Sequence, residues 1–258
     1  MKMTGNTILI TGGGSGIGLG LAEEFLKRGN EVIVAGRSRE KLVAAEKKGL
    51  KTLTVDMTSA ASIRELALSA LKQFPNLNVV IHNAGIMRNE NLQKGAYPEI
   101  EEETVLTNLL GPMRLTDALL PHFLRQSEAA VITVTSGLAY VPLAMTPTYS
   151  ATKAAVHSYT QSLRYQLKGT SVAVKELVPP YVRTHLMGER QSRDEFAMPL
   201  EDFISEVMQI LAEQPEAEEI LVKRVLPQRQ AADHGREKYE DFFRQMNDRL
   251  FAARKEEW

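Results

Sequence analysis

The sequence predicts one α/β domain, spanning residues 1–258, in which helices cover both faces of a parallel β-sheet. Two observations carry this prediction. Short apolar runs alternate with longer segments of helical periodicity, and most of the short runs lack the polar–apolar alternation of a half-exposed strand. Strands buried on both faces are continuous apolar runs, and strand–helix alternation is typical of parallel βαβ units.

The strands and helices follow one another regularly along the chain. The predicted strands are residues 7–11, 31–35, 51–55, 78–82, 129–135, 171–178 and 219–225. The predicted helices are residues 18–28, 39–48, 59–74, 101–126, 147–167, 200–211 and 236–253. Gly29, Gly49 and Pro75 stand where the first three helices end. Segment 182–199 has the least regular pattern, so we predict a substrate-binding lid there.

Composition excludes several classes of function. The 31 basic and 32 acidic residues nearly cancel, giving a net charge of −1, so we expect no nucleic-acid partner. The absence of cysteine excludes disulfides, thiolate metal sites and cysteine nucleophiles. The five histidines lack metal-ligand spacing, so we expect no metal. The first apolar run is too short for a signal peptide and no run is long enough for a membrane helix, so we expect a cytoplasmic protein without a membrane partner.

A glycine-rich turn joins the first strand to the first helix. Residues 11–18 read T-G-G-G-S-G-I-G, in the context that dinucleotide binding requires. Gly12 allows the tight turn, Gly16 lets the backbone approach a pyrophosphate, and Gly18 allows close packing of helix on strand. The helix N-terminus would offer N–H groups to the phosphates. The alternative is a turn that needs its glycines for conformation alone.

Tyr149 and Lys153 lie four residues apart at the start of a predicted helix, so they share one helix face. A free tyrosine has a pKa near 10, and a neighbouring ammonium group favours the phenolate. We therefore expect Lys153 to lower the pKa of Tyr149 and to make it a general acid/base. This pair alone is weak evidence, because an ordinary amphipathic helix produces it too.

Taken together, the motifs resemble the short-chain dehydrogenase/reductase family over nearly the whole chain. The matching residues, in the family's order, are the turn 11–18, Asp56, Asn83-Ala84-Gly85, Asn108, Ser136, and Tyr149 with Lys153. The resemblance implies a Rossmann fold, that is, a doubly wound seven-stranded parallel sheet of order 3-2-1-4-5-6-7 with helices on both faces and an extra C-terminal helix.

Four features resemble the DltE-like oxidoreductase subgroup in particular. They are V-T-S-G-L-A at 134–139, A-T-K-A-A-V-H-S at 151–158, the pair Pro179-Pro180, and a terminal helix around 238–250. The family has Pro-Gly where this chain has Pro179-Pro180, so one backbone N–H is lost there. The family's first asparagine before Asn83 is His82 here, which we interpret as a packed core histidine.

The resemblance implies the interconversion of a carbonyl and an alcohol by hydride transfer to or from a nicotinamide cofactor. Tyr149 would protonate the carbonyl oxygen, Lys153 would lower the pKa of Tyr149 and bind the ribose, and Ser136 would stabilise the developing charge. Asn108 would hold a water that links Lys153 to solvent. The alternative is a cofactor-binding sensor or scaffold without turnover. An extended, epimerase-type relative is disfavoured by length and glycine spacing.

The predicted cofactor is NADP(H) rather than NAD(H). The second strand ends without the acid that would bind the ribose 2′-hydroxyl, and Arg37 there suits a 2′-phosphate, unless it is only a solvated loop residue. Asp56 is expected to bind the adenine amino group, or else to form a core ion pair. The predicted cofactor-binding residues are Gly12, Ser15, Gly16, Ile17, Gly18, Arg37, Asp56, Met57, Asn83, Ala84, Gly85, Tyr149, Lys153, Pro179, Val182 and Thr184.

The partner predicted for this site is a small carbonyl or alcohol substrate. Residues expected to flank its pocket, as contacts or as packing, are Met87, Arg88, Tyr140, Met145, Tyr181, His185 and Met187. The resemblance also implies a homodimer or homotetramer through helices 101–126 and 147–167. Their apolar faces could equally belong to the core of a monomer.

Overall fold

A computed structural model of the protein describes residues 2–254; residue 1 and residues 255–258 of the predicted domain lie outside the described residues. Within residues 2–254 seven strands form one sheet in the order β3-β2-β1-β4-β5-β6-β7, with every neighbouring pair parallel. The strands are β1 Thr7–Thr11, β2 Glu31–Gly36, β3 Lys51–Thr54, β4 Leu77–His82, β5 Ala129–Val134, β6 Val172–Val178 and β7 Glu219–Leu221. The predicted fold class and strand order are confirmed.

Helices connect the strands and close the chain. The helices are α1 Gly16–Lys27, α2 Arg39–Glu46, α3 Ala60–Gln73, α4 Pro98–Val105, α5 Gly111–Phe123, α6 Pro147–Gln166, α7 Glu189–Arg193, α8 Leu200–Glu213, α9 Leu226–Arg229 and α10 Arg236–Ala253. Short 3₁₀ turns occupy Gly137–Ala139, Lys223–Val225 and Ala231–His234. Among residues 2–254, no helix combines the length and the apolar character needed to span a membrane.

Both faces of the sheet carry a hydrophobic core. Ile8 and Ile10 of β1 pack on the side of α1 and α8 with Phe203, whereas Leu9 between them packs on the side of α3 and α5 with Phe123. Alternate residues of one strand thus enter different cores, which explains why the strands lack a polar face.

The single helix predicted for residues 101–126 is wrong in detail. The helical segment begins earlier, at Pro98, ends at Phe123, and is interrupted by a π-helical turn at Leu106–Leu110. Pro112 lacks the N–H that would bond the carbonyl of Asn108 four residues earlier, so regular α geometry is broken there. Asn108 lies buried within this π-helical turn.

Two further segments differ from the prediction. The seventh strand, predicted for 219–225, ends at Leu221, and a 3₁₀ turn follows. Val225 in that turn is fully buried. The apolar residues at the end of the predicted strand therefore indicate burial and not strand geometry. Segment 182–199 contains α7, and a parallel bridge joins Val182 to Met198 at its two ends. The predicted lid is therefore anchored at both ends.

Candidate active site

The loops that leave the carboxyl ends of β1, β4, β5 and β6 surround a cavity of about 650 Å³. This is the edge at which open parallel sheets bind ligands. Most of the predicted site residues line this cavity, namely Gly12, Ser15, Gly16, Ile17, Asn83, Ala84, Gly85, Ser136, Tyr149, Lys153, Pro179, Val182 and Thr184. One continuous space thus joins the glycine-rich turn to the Tyr149–Lys153 pair.

The glycine-rich turn needs its glycines for two different reasons. Gly12 and Gly16 have φ angles of +67° and +54°, a region that favours glycine. Gly18 is constrained by space, because a Cβ there would lie 2.4 Å from Nδ2 of Asn83. That amide donates to the carbonyls of Thr11 and Gly12, at 3.1 and 3.2 Å.

α1 begins at Gly16, two residues before the predicted start, so the first helical turn opens directly from the glycine-rich turn. Ser15 is the N-cap residue, and within the described chain its side chain makes no capping hydrogen bond. The turn and helix terminus therefore form a concave backbone surface suited to an anion such as a pyrophosphate.

A smaller cavity of about 130 Å³ continues beyond the glycine-rich turn, and both Arg37 and Met57 line it. Nη1 of Arg37 lies 3.3 Å from Oε1 of Glu103 on α4, and 54% of the Arg37 side chain is exposed. Asp56 accepts from the backbone N–H and the hydroxyl of Thr58, at 3.0 and 2.8 Å. These bonds, the one from the backbone most of all, lower the pKa of Asp56, which keeps it an anionic acceptor beside this cavity.

Ser136 and Tyr149 are brought together by β5 and α6. Ser136 follows β5 and caps the 3₁₀ turn, where its Oγ accepts from the backbone N–H of Leu138 at 3.1 Å. Its hydroxyl is close enough to Tyr149 to oppose, in part, the rise that burial causes in the pKa of Tyr149. Both side chains line the cavity, so the two hydroxyl groups can meet one ligand oxygen.

Lys153 lies one turn of α6 beyond Tyr149. Its Nζ donates to the carbonyl of Val134 at 2.7 Å and lies 5.5 Å from the centroid of the Tyr149 ring. Asn108 stands behind it, with its amide accepting from the N–H of Ile86 and donating to the carbonyl of Ile86, both at 2.9 Å. The Asn108 side chain thereby fixes the loop after β4 beside α6.

The pKa of Tyr149 shifts in the direction opposite to the one expected from its neighbour Lys153. Burial raises the pKa of Tyr149 to about 12, against a smaller lowering by the Ser136 hydroxyl. Burial also lowers the pKa of Lys153 to about 8, opposed by the charge of Glu176. The i, i+4 spacing places the two side chains together as expected, but burial sets the direction of both shifts. Tyr149 is thus a neutral phenol at physiological pH.

A buried polar network underlies Lys153 and was not predicted. The carboxylate of Glu176 on β6 is fully buried; it accepts from Thr135 Oγ1 at 2.6 Å and pairs with Nδ1 of His157 at 2.8 Å. Tyr140 hydrogen-bonds to both His157 and Glu176. His157 is one helical turn beyond Lys153, and this continuation of the Tyr149–Lys153 spacing was the available signal.

His82 is a core histidine, as interpreted from the sequence. It is 3% exposed, and its Nε2 lies 2.8 Å from the hydroxyl of Thr116. Burial lowers its pKa to about 4, so the imidazole stays neutral. Its Nδ1 has no hydrogen-bond partner among the described residues.

The residues expected to flank the pocket divide into two groups. Those that line the cavity are Met87, Arg88, Tyr181, His185 and Met187. Tyr140 belongs to the network around Glu176, and Met145 is fully buried. The C-terminal helix was expected to shape the pocket, but sequence reasoning did not single out Phe242, Met246 and Leu250 of α10, which line the cavity. Their i, i+4, i+8 spacing was the signal that could have found them.

Comparisons with known proteins agree with this geometry. The sequence profile of the short chain dehydrogenase family matches residues 6–195. An uncharacterized oxidoreductase, DltE of Bacillus subtilis (strain 168), is 42% identical over 253 residues, which are 96% of this chain and 98% of that protein.

Two solved structures at 26% identity share the fold. The closed form of a serine dehydrogenase complexed with NADP⁺ has a TM-score of 0.72, covering 79% of this chain and 88% of that one. A 3-ketoacyl-(acyl-carrier-protein) reductase from Brucella melitensis complexed with NADH has a TM-score of 0.76, covering 87% and 100%. With the family profile spanning most of the chain, the protein belongs to the short-chain dehydrogenase family and is an oxidoreductase of its DltE-like group.

Proposed function

We propose that the protein is an NADP(H)-dependent oxidoreductase that interconverts a carbonyl and an alcohol, with Tyr149 as general acid/base. The observation that carries the proposal is the meeting of Ser136, Tyr149 and Lys153 on one wall of the cavity that begins at the glycine-rich turn. The relatives complexed with NADP⁺ and NADH support a nicotinamide cofactor.

The cavity fits such a cofactor. The concave backbone at Gly12, Ser15 and Gly16 would hold the pyrophosphate, and Arg37 would face the 2′-phosphate from the smaller cavity. Asp56 and Met57 would border the adenine, and Lys153 the nicotinamide ribose. When bound, the cofactor supplies or accepts the hydride.

The neutral state of Tyr149 suits the direction of carbonyl reduction. A phenol that keeps its proton at pH 7 can donate it as the carbonyl oxygen gains negative charge. The backbone N–H of Leu138 donates to Oγ of Ser136 and so leaves the Ser136 proton free to point elsewhere. The Ser136 hydroxyl would donate a hydrogen bond to the same carbonyl oxygen. Lys153 would return a proton to the phenolate, and Asn108 would hold the relay to solvent.

The replacement Tyr149→Phe tests the proposal. It keeps the ring in the cavity wall and removes the proton, so kcat for carbonyl reduction should fall by at least about 100-fold, while NADPH affinity changes little. NADPH oxidation would be followed against a panel of aldehydes, ketones and quinones, with fluorescence titration of NADPH as the binding assay. Tyr97→Phe is the matched control, because Tyr97 is not among the described residues that line the cavity and its hydroxyl donates to the carbonyl of Asn91.

Two results would contradict the proposal. One is a Tyr149→Phe enzyme that keeps more than about a tenth of wild-type kcat when deuterated NADPH shows that hydride transfer limits the rate. The other is a wild-type protein that binds NADPH and reduces no carbonyl in the panel, which would favour the sensor or scaffold.

We also propose that the enzyme forms a homodimer or homotetramer through helices 101–126 and 147–167, and that it works in the cytoplasm. Leu124 and Tyr165 on these two segments are exposed, by 45% and 80%, and assembly would cover them. Analytical ultracentrifugation of the wild type and of Tyr165→Glu tests the assembly; a monomeric wild type would refute it. Cell fractionation tests the location.

A further inference from the structure

The half of the cavity away from the glycine-rich turn has an apolar wall. Met87, Leu143 and Tyr149 pack in one hydrophobic cluster, against which Leu250 of α10 packs from the other side. Phe242 and Met246, on the preceding turns of α10, line the same space. A ligand that reaches Tyr149 therefore lies along hydrocarbon and aromatic side chains, which favours a substrate with an apolar body.

Among the described residues, the charged side chains that line this space are all positive. The charged residues that line the cavity are Lys41, Arg88, Lys153, Arg224 and Arg254, and among the described lining residues there is no Asp or Glu. Lys41 and Lys153 belong to the cofactor half, because Lys41 packs beside Gly14 and Lys153 beside Tyr149. Arg88, Arg224 and Arg254 therefore belong to the half of the cavity away from the glycine-rich turn.

Arg254 differs from the other two arginines because it is buried. It is 5% exposed, and it stands four residues after Leu250 at the end of α10. Its Nη2 donates to the hydroxyl of Tyr181 at 2.7 Å, and its Nη1 lies 3.6 Å from Sδ of Met187. The guanidinium also lies 5.4 Å from the centroid of the Tyr181 ring.

These contacts leave the charge of Arg254 without a carboxylate partner among residues 2–254. Asp194 reaches it only through the Tyr181 hydroxyl, which donates to Oδ2 of Asp194 at 3.0 Å. A guanidinium carries five N–H donors, and the contacts to Tyr181 and Met187 use two of them. A buried charge that lacks a partner is costly, and the remaining donors match a carboxylate in number and geometry.

We infer that Arg254 binds a carboxylate of the substrate, and that the substrate is a carbonyl compound with an apolar body between its reacting carbonyl and that carboxylate. The inference rests on the proposed function for the reacting end of the molecule. The minimum length of the body follows from the helix: Arg254 lies one turn, about 6 Å, beyond Leu250, which borders the cluster around Tyr149. Medium-chain oxo acids have this form.

Binding tests the inference without turnover. Calorimetry on the protein saturated with NADP⁺ would compare octanoate with octan-1-ol, which has the same chain length and no charge. The wild type should bind octanoate at least about tenfold more tightly. Arg254→Met should abolish this preference and leave the affinities for octan-1-ol and NADP⁺ unchanged. Arg254→Lys, which keeps the charge, should retain part of the preference.

Two matched controls share the terminal segment. Arg249→Met removes a cation of α10 that stacks on Phe196, and it should leave octanoate binding unchanged. Glu256→Gln with Glu257→Gln removes the carboxylates that follow Arg254 in sequence, and it should also change nothing. Tighter octanoate binding in that double variant would show that the chain's own acids occupy Arg254, and would overturn the assignment.

Kinetics then separates this inference from the proposed function. With NADPH, kcat/KM for 8-oxooctanoate over octanal should be at least about 10 in the wild type and about 1 in Arg254→Met. Equal affinities of the wild type for octanoate and octan-1-ol, or a preference that survives in Arg254→Met, would refute the role of Arg254. Failure to reduce either aldehyde, together with intact octanoate selectivity, would refute the proposed function and leave the anion site standing.

Discussion

The choice between NADPH and NADH depends on one arginine that is shared between two partners. Arg37 follows β2 and lines the smaller cavity, but its Nη1 also lies 3.3 Å from Oε1 of Glu103. Gly36 beside it has open space around its Cβ position and carries no charge that would repel a phosphate. A 2′-phosphate must therefore compete with Glu103 for the guanidinium.

The size of the preference follows from this competition. A hydrogen bond to a charged group contributes about 1.5–3 kcal/mol, whereas an exposed ion pair such as Arg37–Glu103 is worth about 0–1 kcal/mol. The difference leaves about 0.5–3 kcal/mol, which corresponds to a preference for NADPH of roughly 2- to 150-fold. Because the Arg37 side chain is 54% exposed, the preference should weaken as salt concentration rises.

Fluorescence titration of both cofactors measures this ratio without a substrate. Arg37→Ala should bring the ratio of the two Kd values to about 1, Glu103→Gln should tighten NADPH by up to about fivefold, and Gly36→Asp with Arg37→Ala should reverse the preference. Arg39→Ala is the control on the same loop. The reasoning fails if the wild type favours NADH, or if Glu103→Gln weakens NADPH binding.

Three other predictions concern the core, the network under Lys153 and segment 182–199. The pKa of His82 is near 4 in the folded protein and about 6.5 in the unfolded chain, so between these values His82 takes up a proton only when the protein unfolds. The free energy of unfolding should therefore fall as the pH is lowered. Between pH 7 and pH 5 the wild type should lose about 2 kcal/mol more of it than His82→Asn. Equal losses in urea titrations would contradict this. Glu176→Gln removes the negative charge that favours protonated Lys153, so the alkaline limb of the pH profile of kcat/KM should move to lower pH. The control Glu219→Gln should leave the limb in place. An unmoved limb in Glu176→Gln would refute this prediction. Hydrogen exchange in segment 182–199 should slow when NADP⁺ binds, and identical protection with and without NADP⁺ would rule out a lid.

Features encoded by local spacing could be predicted from the sequence. The strand order followed from the family resemblance, and the glycine-rich turn placed Gly12 and Gly16 at positive φ. The i, i+4 pair Tyr149 and Lys153 shares the cavity as expected. Each of these depends on residues close in sequence, or on a motif in which chain order and function are linked.

Features that depend on packing between distant segments could not be predicted. The pKa of Tyr149 moved in the direction opposite to the expectation, because sequence spacing contains the distance to Lys153 but not the burial of the phenol. Arg37 looked free for a phosphate because Glu103 is 66 residues away in the chain.

The far wall of the cavity shows the same limit for specificity. α10 packs over the site from the end of the chain: Asn247 accepts from the N–H of Ala144, 103 residues earlier, at 2.7 Å. Once that contact fixes the face of the helix, Leu250 and Arg254 on the following turns line the cavity. The residues proposed for catalysis lie after β5, in the π-helical turn and on α6, whereas Arg254, which we infer to bind the substrate, stands at the end of α10. A family resemblance carried by the catalytic motifs therefore predicts the reaction, and the terminal helix has to be seen in place before the substrate can be inferred.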